Sequence, residues 1–294
     1  MRKIILTIAL SVCACLASAQ GLFNTETDNV ATVPPKVPAS VTFAGQVVDL
    51  NRSDLIERMD REILSFAYSH QNSILILKRS ERFFRQVVPI LKEQGLHEDL
   101  KYLMVIESNL DTKAYSSAGA AGLWQFTKAT GAEYGLEINS EVDERYNIEK
   151  ETLAACKFLK KAYGRFKDWM TVAASYNCGQ AGTAGRLSSQ RQSSALDLWQ
   201  PTETSRYMFR ALAAKMLFEN PKSFGFDIAD SDKYPYYEPE QVVEVNYPIP
   251  SLVDFAEKHG VSYMQLKEAN VWLRSDRLTN KNHKTYKIII PKKI

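Results

Sequence analysis

The chain is poor in histidine and cysteine, and neither charge is in excess. His70, His97, His259 and His283 are scattered, with no H-x-x-x-H or Cys/His spacing, so neither a metal nor a cofactor is expected. Lysine and arginine number 37 against 34 acids, a formal charge of +3, too even a balance to argue for nucleic acid or an anionic membrane surface. Apart from residues 4–16 no stretch is long and apolar enough to cross a membrane, and that run is itself short for the task. With Arg2 and Lys3 ahead of it and Ala17-Ser18-Ala19 behind, it reads as an export signal over residues 1–19, with the mature chain starting at Gln20. Cys13 or Cys15 is a candidate for lipidation, against which stand the bulky Val12 and the apolar run after Cys15. Beyond the signal only Cys156 and Cys178 remain, and a disulfide and two free thiols are both open.

What is present is organised in blocks. Residues 20–52, with Pro34-Pro35 and Pro38 and few large apolar residues before Val47, read as a linker or N-terminal arm. From Ser53 the apolar spacing becomes helical: Leu55, Met59, Ile63 and Phe66 step by three and four, and further helices are expected at roughly 82–93, 97–107, 148–163, 168–176 and 203–219. For the helix at 148–163, Asn147 is the expected N-cap and Gly164 the left-handed stop. Residues 53–224 thus form a mainly α domain. Residues 225–248, rich in proline and tyrosine, read as a linker with a short extended segment at 241–247. Residues 249–294 read as a small helix–helix–strand module.

The chemistry concentrates at VIESNLDTKAYSSAGAAGLWQF, residues 105–126. Glu107 ends an apolar stretch, Leu103-Met104-Val105-Ile106, at the C-terminal end of a helix. Lost hydration and the helix dipole both favour its protonated form, which general-acid cleavage of an ether-like bond requires. Taken alone it reads better as a helix-end glutamate pointing at solvent. Ser116, Gly119 and Gly122 make a small-residue loop in which backbone can approach a ligand, and Trp124 and Gln125 supply an aromatic face and an amide, although Trp124 reads best as core. Farther on, AASYNCGQAG brings Tyr176 and Asn177, and ETSRYMFRAL brings Tyr207.

ES at 107–108, GLWQ at 122–125, SYN at 175–177 and E-T-x-x-Y at 203–207, in that order, resemble the lytic transglycosylases of glycoside hydrolase family 23, the membrane-bound D type above all. The tail resembles a LysM peptidoglycan-binding module, a degenerate one without the usual G-D-T-L opening or the P-G-Q before its last strand. The resemblance implies a lysozyme-like helical catalytic domain, of the goose-type and soluble lytic transglycosylase kind, followed by a small α+β module. It also implies cleavage of the β-1,4 bond between N-acetylmuramic acid and N-acetylglucosamine without water. Glu107 would protonate the departing oxygen and then accept the proton of the muramoyl 6-hydroxyl as that group closes a 1,6-anhydro ring. Ser108, Ser116, Gln125, Tyr176, Asn177 and Tyr207 would contact substrate: Ser116 near the acetamido group, Tyr176 holding Glu107 or the sugar, Tyr207 lining the cleft. The implied partner is the peptidoglycan glycan strand, met by a monomer in the periplasm or cell envelope, with membrane contact only if the chain is lipidated.

Two other functions compete. A goose-type muramidase would need a second carboxylate for its water; Asp111, Glu133 and Glu137 are the candidates, and Asp111 reads better as the cap of the turn DTKA. A non-catalytic wall-binding protein would gain little from a desolvated acid at Glu107.

Overall fold

The apolar stripes of residues 53–219 close on a single core. The computed structural model describes residues 33–292; the export signal expected over residues 1–19, with Cys13 and Cys15, lies outside the described residues. Helix α1 (Ser53–Tyr68) buries Leu55, Met59, Ile63 and Ala67, and α2 (His70–Glu93) buries Ile76, Phe83, Val87 and Leu91 at helical spacing. They are followed by α3 (Lys101–Ser108), α4 (Lys128–Glu133), α5 (Ile148–Phe166), α6 (Trp169–Cys178), α7 (Gln180–Gln190) and α8 (Thr202–Glu219). Helix α8 packs against α1, α3 and α6. Small residues at Ala211, Ala213 and Ala214 let those neighbours come close, and larger ones at Met208, Phe209 and Leu212 fill the core.

Part of the stretch expected as an arm is core. Residues Ser40–Phe43 (β1) and Gln46–Asp49 (β2) pair antiparallel, turning through Ala44 and Gly45 at φ +49° and +79°, the two left-handed residues of a tight hairpin. Val41, Phe43, Val48 and Leu50 join the helical core. The Ala44 N–H donates to buried Asp99 at 2.9 Å, and Lys215 pairs with the same carboxylate at 3.0 Å.

Asn147 caps α5 as expected, accepting from the Lys150 N–H at 3.1 Å. Gly164 does not stop that helix. The helix runs two residues farther, to Phe166, and Lys167 takes the left-handed conformation at φ +56°. No atom lies within 4 Å of where a Gly164 Cβ would stand, so it is an exposed interior glycine. Cys156 is buried and Cys178 half-buried, and both are free thiols.

After residue 220 the chain runs past α2, the Tyr234 N–H donating to the Lys78 carbonyl at 2.8 Å. It then enters β3 (Gln241–Val245), α9 (Leu252–Lys258), α10 (Tyr263–Ala269) and β4 (Tyr286–Ile290). The extended segment expected near 241 is β3, antiparallel to β4 from Gln241↔Ile290 to Val245↔Tyr286. Buried Asn270 ties α10 to that sheet, its amide bonded to both the carbonyl and the N–H of Ile289 at 2.7 and 2.8 Å. The module's apolar cluster of Val245, Leu252, Phe255, Leu266, Trp272 and Ile288 also takes in Ala121, Val142 and Tyr146 of the helical domain. Backbone bonds join the two parts, from the Asp143 N–H to the Trp272 carbonyl at 2.9 Å and from the Arg274 N–H to the Glu141 carbonyl at 2.8 Å. Among the described residues no helix is long and apolar enough to cross a membrane. The expected class holds: a mainly α domain with a small α+β module at its C-terminal end.

Candidate active site

Helix α3 ends at Ser108, where Asn109 turns left-handed at φ +50°, so Glu107 stands in the last turn, as its position in the sequence implied. The residues before it, Leu103 to Ile106, are all buried, which strips water from one side of the carboxyl. One oxygen, Oε1, accepts the Tyr207 hydroxyl at 2.8 Å; among the described residues Oε2 has no hydrogen-bond partner. Burial pushes the Glu107 pKa up to about 7. The Tyr207 hydrogen bond and the charge of Arg210 oppose the shift, and Glu203 adds to it. At neutral pH this acid therefore still carries a proton in a large share of molecules.

Tyr207 is buried and Tyr176 is packed among Trp124, Phe126 and Phe158, with ring centroids 5.0 to 6.4 Å apart. The expected division of labour between the two tyrosines is altered. Tyr176 donates to the Trp124 carbonyl at 2.8 Å and braces the loop, whereas Tyr207 holds the acid. Asn177, at the end of α6, accepts the Thr204 hydroxyl at 2.7 Å and reaches Glu203 at 3.5 Å, which fastens α6 to the first turn of α8.

The loop of residues 114–126 is held from three sides. Arg145, 1 % exposed, pairs with Asp143 and donates from Nη1 to the carbonyls of Gly119 and Phe126 at 2.8 and 3.1 Å. Buried Glu151 accepts the Trp124 N–H at 3.0 Å, and burial raises its pKa well above the carboxylate range. Gln125, at φ +51°, spends its amide hydrogens on the carbonyls of Ala114 and Gly122, leaving the amide oxygen for a ligand. Gly122, at φ +83°, is where only glycine fits: a Cβ would lie 1.7 Å from the Arg145 carbonyl oxygen. Trp124 is core, its indole N–H on Thr152 at 3.0 Å.

Of the other expected contacts, Ser116 is partly exposed and its hydroxyl accepts the Ala120 N–H at 3.0 Å, while Ser108 is buried and donates back to the Met104 carbonyl at 3.1 Å. Asp111 caps its turn, accepting the Lys113 N–H at 2.9 Å. Glu133 pairs with Lys161 and Glu137 with Lys284, so neither is a free carboxylate for a second role. Sequence reasoning passed over Glu203, Thr204, Arg145 and Glu151. The first two lie inside the E-T-x-x-Y motif itself, and the others are charged residues on apolar elements, a pattern that marks a buried partner.

A half-buried acid with a raised pKa beside a loop of small residues, in a helical frame, is an arrangement suited to general-acid chemistry, and known proteins share parts of this sequence. Residues 90–198 match the transglycosylase SLT domain and residues 241–294 the soluble lytic transglycosylase C-terminal LysM-like domain. The resemblance read from the four motifs is thereby borne out. More particularly, the chain is similar to membrane-bound lytic murein transglycosylase D from two strains of Escherichia coli, at 25 % identity over 228 residues. The alignment covers 76 % of this chain and 48 % of those proteins, so the chain spans about half the length of the curated relatives it matches. A solved structure of an inactive mutant of the lytic transglycosylase Slt from Pseudomonas aeruginosa is 21 % identical, covering 52 % of this chain and 26 % of that one at a TM-score of 0.40.

Proposed function

We propose that the chain is a peptidoglycan lytic transglycosylase, acting in the periplasm or cell envelope after removal of residues 1–19. It cleaves the β-1,4 bond from N-acetylmuramic acid to N-acetylglucosamine. The observation that carries the reading is Glu107: one oxygen fixed by Tyr207, the other without a hydrogen-bond partner among the described residues, and a pKa of about 7. Such a group gives its proton to the departing glycosidic oxygen and is left as a carboxylate able to take the proton of the muramoyl 6-hydroxyl. That hydroxyl attacks C1, the glycosidic C–O bond breaks, and a 1,6-anhydro ring closes with no net consumption of water. Tyr207 holds the carboxyl oriented through both transfers. Gln125, Asn177 and Ser116 hydrogen-bond the glycan, and Ser108 supports the helix end.

One observation favours a second reading, hydrolysis by a goose-type muramidase. Glu203 is an exposed carboxylate whose charge adds to the rise of the Glu107 pKa, and a hydrolase needs such a second carboxylate for its water. Mass spectrometry of peptidoglycan digests separates the two. Anhydro ends from the wild-type chain, lost in Glu107→Gln, are expected; reducing ends that disappear in Glu203→Gln would overturn the proposal in favour of the muramidase.

A further inference from the structure

Trp124, Trp169 and Trp272 are core residues at 0, 7 and 4 % exposure, whereas Trp199 is 91 % exposed. An indole is a large apolar surface, rarely left wholly in water. A loose backbone is not the reason. The Trp199 N–H donates to Oε1 of Gln190 at 2.7 Å, and its carbonyl accepts from Nε2 of the same amide at 2.8 Å, a two-point clamp from the end of α7. The chain on either side is also tied down. Arg58 donates to the Leu196 carbonyl at 2.9 Å, Arg52 pairs with Asp197 at 2.6 Å, and Gln200 donates to the Ala195 carbonyl at 3.1 Å. A ring on a fixed backbone, left 91 % exposed among the described residues, is pre-organised for something else.

Its place says for what. Glu203, only four residues on, meets Asn177 and acts on the charge of Glu107. Four residues of chain span at most about 14 Å. We propose that Trp199 is a stacking platform for a pyranose of the glycan strand, an outer subsite beyond the sugars held at Glu107. The proposal rests on the glycan-cleaving reading of the cleft. A pyranose with equatorial substituents presents a face of C–H bonds, which suits the electron-rich face of an indole, while its hydroxyls stay in water at the ring edge. A lipid interface also takes tryptophan, but Arg52, the arginine that pairs with Asp197 two residues before Trp199, is neutralised by that carboxylate and by Asp54.

The test uses the full chain. Because the other tryptophans are buried, the red-edge emission reports Trp199. Adding a soluble chitin oligosaccharide to Glu107→Gln, which does not consume it, should shift that emission to the blue. Trp199→Ala should abolish the shift and lower kcat/KM on long peptidoglycan strands by about tenfold, mostly through KM, a loss of the size of one stacking contact. Its thermal midpoint should stay put, since the indole is almost wholly exposed. An emission that ignores the oligosaccharide, or shifts only with vesicles of anionic phospholipid, overturns the platform, as does an unchanged KM. If oligosaccharide shifts the emission but the wild type releases no anhydro products, the transglycosylase reading fails and the platform stands.

Discussion

Arg206 and Tyr207 are neighbours on α8, and each holds a glutamate by opposite means. Glu62, fully buried on α1, receives the Arg206 guanidinium at 2.7 Å and that of Arg61 at 3.2 Å. Glu107 receives only a phenol. A cation offsets the charge of a buried carboxylate, whereas a hydroxyl dipole offsets part of it and leaves burial to win. Two adjacent residues of α8 thus hold one glutamate of α1 through a cation and one of α3 through a hydroxyl.

The comparison can be broken at several points. Glu107→Gln should lower anhydro-product release by at least a hundredfold, the usual scale of a lost general acid, as read by product mass spectrometry. The same variant should be more stable than the wild type above pH 7. The folded-state pKa of about 7 lies above the ordinary 4.5, so the stability associated with neutral Glu107 is complete below 4.5 and is lost as pH rises through 7. The difference, at most about 3 kcal/mol, is readable by denaturant unfolding at pH 5 and pH 8. Glu62→Ala should do the reverse of Glu107→Gln, leaving the pH dependence of activity in place while costing about 1–3 kcal/mol of stability. Tyr207→Phe removes the hydrogen bond that holds the Glu107 pKa down. The alkaline limb of the pH–rate profile should move up by part of a unit, with a loss of about tenfold in kcat. Smallest of all, Arg85→Ala, which removes an exposed pair to Glu81 one turn earlier on α2, should cost under about 1 kcal/mol in thermal unfolding and leave activity near wild type.

How far the molecule can be read from its sequence depends on how local the determining contact is. The Asn147 cap, the end of α3 at Ser108 and the Asp111 turn are settled within four residues, and all were legible. The β1–β2 hairpin was not. Its strands are four residues long and it turns on Ala44-Gly45, without the asparagine or aspartate that usually announces such a turn. Gly164 misled because glycine permits a left-handed turn without demanding one. In the site, Glu107 and Tyr207 were both legible as residues, but which tyrosine holds the acid was not, because the partners lie one hundred residues apart. Trp199 left no trace in the patterns, since exposure of a single ring is a property of the fold around it.

Arg145 and Asp143 tie two distant jobs together. The Arg145 guanidinium holds the Gly119 and Phe126 carbonyls of the cleft loop, and the backbone of Asp143 is bonded to Trp272 in the C-terminal module. Ala121, in the same loop, lies in the module's apolar cluster. The tail is therefore a buttress: in a chain cut near residue 240 the loop of residues 114–126 would lose the floor on which it rests.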